Sequence, residues 1–179
     1  MHFAVAVVTA EKPSESVLAD ALAPFGPAGA AEEKWGWYAL GGRFSGHLFS
    51  RDMADTVTGG PEYPDDELSL IPYPICRSGA DSVRCGSLEA VLSLPVGVVV
   101  DGCWHATRIF TWKGPEGPCS PYLADIDPAA PCLPWREGLL AGEQWSRRFL
   151  EIIKGLPPGD WISIVDCRAP PRAPSQARR

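Results

Sequence analysis

No stretch of this chain stays apolar long enough to cross a bilayer as a helix, since the longest runs, Phe3–Val8 and Val96–Val100, are strand-sized. Basic residues are in the minority: 16 Lys and Arg stand against 22 Asp and Glu, giving a net charge of −6 and a pI of about 5.0. That balance disfavours nucleic acid and anionic membrane surfaces as partners, because both reward a basic face. No C-x-x-C spacing occurs among Cys76, Cys85, Cys103, Cys119, Cys132 and Cys167, which removes the strongest sequence signal for structural zinc or thioredoxin-like redox chemistry. A basic start and a small-residue cleavage site are also missing, because Glu11-Lys12-Pro13 follows the first apolar run. A cytoplasmic protein with reduced thiols is therefore expected. The glycine-rich stretch G-G-R-F-S-G has no Walker Lys-Ser/Thr pair and does not fit G-x-G-x-x-G, so neither phosphate loop applies.

What remains is a chain of 179 residues with a 45% hydrophobic share, enough for one sizeable core. A single domain over 1–167 is expected, followed by a Pro/Arg-rich tail, 168–179, that buries too little to order itself. Phe3–Thr9 reads as a strand buried on both faces. Ser14 caps a short helix with Val17, Leu18, Ala21 and Leu22 on one stripe, and Pro24 stops it. A strand is expected over Trp35–Leu40, broken at Gly41-Gly42 and resumed through Phe44–Phe49. Ser50–Arg84 reads as largely irregular, and Ser87–Leu94 as a second short helix closed by Pro95. Val96–Trp112 is a hairpin around Asp101-Gly102, which pairs Val100 with Cys103 and Val98 with His105. The Pro-rich connection Lys113–Pro134 has the length of a lid or binding loop. Glu143–Lys154 is an amphipathic helix, and Trp161–Val165 the last strand. The order predicts an α+β fold: an antiparallel or mixed sheet covered mainly on one face by helices, with a ferredoxin-like arrangement carrying long loop insertions as one option.

The richest candidate site is Lys34–Gly46. There Arg43 beside Gly41-Gly42 suits a carboxylate or phosphate, and Trp35, Trp37 and Tyr38 offer flat faces to a planar group. The competing account is a glycine bulge whose arginine ties down a neighbouring carboxylate while the tryptophans fill the core. Cys103 and His105, two apart on a strand, share a sheet face and suit metal ligation or activation of a nucleophile, a site that Cys167 and Cys85 complete only if the fold brings them there; the competing account is a buried free thiol and a hydrogen-bonded imidazole. Asp166 and Cys167, adjacent on a strand, point to opposite faces and cannot both line one pocket. Asp52, Asp55, Asp65, Asp66 and Glu67 supply carboxylates in a polar stretch where solvation is the default.

The motifs W-x-W-Y-x-x-G-G-R-F-x-G at 35–46, V-V-V-D-G-x-W-H at 98–105 and I-V-D-C at 164–167 together resemble a group of small bacteriophage and actinobacterial proteins to which no reaction is attached. In that group the closing motif is usually D-C-H; Arg168 replaces the His here, so no role that needs that His carries over.

The leading expectation is a small cytoplasmic enzyme or ligand-binding protein acting on a small acidic or aromatic molecule without an organic cofactor. Arg43 would orient the anion, Trp35, Trp37 and Tyr38 would form the wall with Gly41 and Gly42 beside it, and His105, Cys103 and Cys167 would be the catalytic candidates. The rival is a non-catalytic accessory or inhibitor of mobile-element origin that binds a partner protein through its loops. A structural zinc protein stands third.

Overall fold

The computed structural model describes residues 2–26, 35–59, 78–106, 111–113 and 132–168. Of the expected tail only Arg168 is described, and it is paired in a strand; 169–179, most of the Pro-rich connection and 60–77 within the irregular stretch lie outside the described residues.

The centre of the molecule is β1, His2–Thr9, whose alternate side chains feed two separate cores. It pairs antiparallel along its whole length with β11, Trp161–Arg168, and parallel with β7, Gly97–Val100. The hairpin partner β8, Cys103–Ala106, closes that side of the sheet. Asp101 and Gly102 between them have φ of 49° and 69°, the left-handed pair that a two-residue turn matched to strand twist requires. The resulting register sets Val100 against Cys103, Val99 against Trp104 and Val98 against His105, as the turn implied.

The other edge of β11 is shared. β5, Ser82–Arg84, covers Trp161–Ser163, and β2, Trp37–Leu40, covers Val165–Arg168. The two meet at Ile164, whose N–H donates to the Asp81 carbonyl and whose carbonyl accepts from Gly41 N–H, both at 2.8 Å. The short β4, Thr56–Val57, extends the sheet beyond β5. Two small sheets lie outside this one: β3, Leu48–Ser50, with β6, Leu88–Val91, and β9, Thr111–Lys113, with β10, Cys132–Pro134.

The fold is α+β on a mixed sheet. Helix α2, Trp135–Lys154, packs Trp145, Phe149 and Ile153 onto Ala4, Ala6, Val98, Ile162 and Ile164. Small alanines on β1 leave room there for the aromatic rings, and the Trp145 indole N–H donates to the Pro95 carbonyl at 2.7 Å. Helix α1, Glu15–Leu22, packs Leu18 and Leu22 on the opposite face, against Phe3, Val5, Val7 and Val165. Among the described residues the helical cover is unequal: the longer helix takes one face and the shorter the other. A ferredoxin-like unit sets both helices on one face, whereas the two described helices lie on opposite faces.

Several local expectations need correction: the strand expected to resume at Phe44 starts only at Leu48, after the 3-10 turn Gly42–Phe44, and the stretch expected to be irregular carries β4 and β5. Ser87–Leu94 is not a helix; its core is β6, which pairs with β3 through a register shift that turns both Leu88 and Val91 toward the core. An eight-residue helix gains little by itself, and the ladder offered by β3 outweighs it. Helix α2 begins at Trp135 rather than Glu143, because Gly142 is tolerated within it. Its end at Gly155 is as expected, with Gly155 N–H donating to the Glu151 and Ile152 carbonyls at 3.1 Å.

Phe149 and Leu150 are neighbours on α2 with exposures of 1% and 45%. Phe149→Ala is expected to cost about 3–5 kcal/mol and Leu150→Ala within about 0.5 kcal/mol, read as urea midpoints with an unchanged slope.

Candidate functional site

The G-G-R-F-S-G stretch becomes a tight turn at the place where β2 leaves β11. Gly41 and Gly42 have φ of 71° and 50°, and a 3-10 turn spans Gly42–Phe44. A side chain on either glycine would collide with a carboxyl group: an ideal Cβ on Gly41 would lie 2.5 Å from Asp81 Cγ, and one on Gly42 2.7 Å from Asp166 Oδ2. Both aspartates are fully buried. Asp81 Oδ1 accepts from Gly46 N–H at 2.6 Å, and its Oδ2 accepts from Gly59 N–H at 2.6 Å and from the Ser45 hydroxyl at 3.2 Å. Asp166 Oδ2 accepts from Arg43 N–H at 2.9 Å, and His2 Nδ1–H donates to Asp166 Oδ1 at 2.9 Å. Trp37 meets the His2 ring edge-on at 6.0 Å. His47 is buried beside Phe44, ring centroids 5.8 Å apart. The glycines thus bring backbone against protein carboxylates, close to the bulge account, except that Arg43 uses its backbone N–H for the contact with Asp166.

The aromatics of the same stretch face elsewhere. Between α1 and β2 lies a cavity of about 670 Å³, lined by Trp35, Trp37, Tyr38 and Leu40 with Leu18 and Leu22 of α1, and with Ser14 and Glu15 at the helix start. Trp35 is only 1% exposed and packs its ring against Phe25 and Trp104, while Trp37 is 38% exposed. The Trp35 indole N–H is buried and has no partner among the described residues, an unsatisfied donor costing about 1–3 kcal/mol. Tyr38 is half-buried, and its hydroxyl is held above the usual phenol range by burial first and then by Glu15, Cys167 and Asp20. At neutral pH it is therefore an intact hydroxyl, able to donate and accept.

The sequence-predicted residues divide accordingly. Trp35, Trp37 and Tyr38 all border the groove, with the Trp37 ring turned to the His2 face of β2 and Tyr38 to the face of α1; Gly41, Gly42 and Arg43 are not in its lining. Cys103 and His105 do share a sheet face, on the edge strand β8, with Cys103 exposed and His105 half-buried. Cys167 sits in the core on the opposite face, and β7 and β1 separate β8 from β11. Three strand spacings of roughly 4.8 Å, about 14 Å in all, keep it from Cys103 and His105, so the three do not form one catalytic set. Burial, with Asp166 adding to it, pushes the Cys167 thiol well up, and burial with Asp160 brings Cys85 to about 11, so both stay protonated at neutral pH. Among the described residues no group of three or more His, Cys, Asp or Glu side chains is placed to hold a metal ion.

Asp81, His2, His47 and Glu15 were not singled out by sequence reasoning. For Asp81 a signal exists: Gly79-Ala80-Asp81-Ser82-Val83 sets one charge among small and apolar residues leading into a strand. Glu15 reads from sequence only as first-turn acid on α1. No family model, curated protein or solved structure matches this chain.

Two glycines at this site should respond to substitution with opposite signs. Gly41→Ala forces a Cβ into Asp81 at positive φ and is expected to lose on the order of 3 kcal/mol. Gly26 has φ of −90° and ψ of −175°, open to any residue, and its Cβ would lie 3.8 Å from Trp35 Nε1. Gly26→Ser brings a hydroxyl within reach of that unpaired donor and is expected to gain about 1 kcal/mol, a rise of roughly 2–4 °C in Tm; Gly26→Ala should gain less.

Proposed function

We propose that this protein binds a small planar aromatic molecule in the groove between α1 and β2, as a ligand-binding protein rather than a catalyst. The observation that carries this reading is the cavity itself: about 670 Å³, apolar along Leu18, Leu22 and Leu40, aromatic along Trp35 and Tyr38, with its polar groups at the rim. That volume lies within the usual range for small-molecule sites, and such sites combine an apolar wall with a few placed polar groups. Aromatic walls favour a flat ligand, which gains offset or edge-to-face contact at little ordering cost.

Catalysis finds less support at this groove. The His2–Asp166 pair belongs to the sheet face that α2 covers, as the cross-strand pairing of His2 with Arg168 and of Ala4 with Asp166 requires. The groove is built on the face that α1 covers. An acidic ligand is not favoured either, because the cation meant to orient it, Arg43, is not in the lining.

Indole and p-cresol, as neutral aromatic probes, should each bind with a Kd of roughly millimolar or tighter, by the affinity expected for so few atoms. Ala19, on the groove side of α1, offers a way to fill the site. Ala19→Trp should abolish binding in titrations followed by NMR while retaining a cooperative melt. Equal binding by wild type and Ala19→Trp, or no saturable binding of either probe by wild type, would overturn the proposal.

A further inference from the structure

Charge along the groove is one-sided, and we infer that its natural occupant is a free aromatic amine, with the ammonium group at the Glu15 mouth and the ring against Tyr38. This inference rests on the aromatic-binding reading above and narrows its ligand class. Glu15 is the one formally charged side chain lining the groove among the described residues. It is exposed, so its carboxylate remains hydrated until a ligand arrives. Asp20, further along the same helix, adds to the negative field: together with Glu15 it holds the Tyr38 phenol in its neutral form, after burial has done the larger part.

Among the described residues no lysine or arginine offsets that field in the lining. Lys12, the nearest cation in sequence to Glu15, is 3.8 Å from Asp55 and lies over the Trp161 ring. The start of α1 contributes amide groups of opposite sign, and Ser14 engages one of them, its hydroxyl accepting from Val17 N–H at 3.3 Å. A carboxylate entering this mouth meets like charge. An ammonium group meets Glu15 and the negative faces of the aromatic wall, the pairing by which aromatic sites recognise organic cations. The unpaired Trp35 N–H plays no part in this preference, because it discriminates acceptors from non-acceptors rather than cations from anions.

The test is a matched series sharing one ring: tryptamine, 3-methylindole and indole-3-propionate, titrated into the full chain by isothermal calorimetry at low salt and neutral pH. Tryptamine should bind roughly 5–10-fold tighter than 3-methylindole, and indole-3-propionate more weakly than either. In Glu15→Gln the tryptamine to 3-methylindole affinity ratio should fall to about two or less. Asp101→Asn, which removes one negative charge at the hairpin turn on the opposite edge of the sheet, should leave that ratio unchanged. Equal binding of all three ligands, a preference for the propionate, or a ratio that survives Glu15→Gln would overturn the amine inference while leaving the aromatic site intact. Binding of none of the three would overturn the aromatic reading beneath it.

Discussion

Two buried carboxylates organise one edge of this protein. Where β5 hands the edge of β11 over to β2, the chain must turn away from the sheet, and backbone N–H groups of Arg43 and Gly46 in that turn, with Gly59 after β4, turn to side-chain acceptors. Asp81 and Asp166 accept them. Buried charge is tolerated only when its lone pairs are filled, and here three amides, a serine hydroxyl and an imidazole fill them. The demand runs in both directions: without the carboxylates the amides would be orphaned, and without glycine at 41 and 42 the backbone could not approach so closely. Residues far apart in sequence are fixed together by one small set of bonds.

How much of this was visible in the sequence depends on the range of the interaction. The Asp101-Gly102 turn is local, so the hairpin and its cross-strand pairs followed from a dipeptide. The amphipathic stripe of α2 and the doubly buried pattern of β1 are also local and were legible. β6 was not, because Leu88, Val91 and Leu92 fit a helical period and only the partner strand β3 with its register shift decides between the two. The candidate site follows the same rule. Its aromatic residues stood out by composition, but their separation from Gly41, Gly42 and Arg43 depends on which side of β2 each faces once paired with β11. Asp81 and Asp166, 85 positions apart in the chain, have no sequence relation at all until Ile164 bonds to both neighbours of the junction.

The same alternation explains why one crowded stretch serves two purposes. On β2, Tyr38 lies across from Cys167, and Ala39 lies across from Asp166. Odd and even positions therefore address different layers, one toward the groove beside α1, the other toward the polar junction. A substitution in this segment reads out according to its parity, through ligand contact on one side and through the seating of the turn on the other.

The position of β11 also bears on how the protein is made. It is the strand that contacts β1, β2 and β5 together, yet it is synthesised after every other strand described here. Until it emerges from the ribosome, β1 has β7 on one side only, and β2 and β5 present open edges to their surroundings. Pairing His2 with Arg168 closes a loop of nearly the whole described chain, and such long-range closure is slow compared with hairpin or helix formation. The nascent chain therefore passes through an interval with exposed strand edges, the state in which molecular chaperones commonly hold aggregation-prone intermediates.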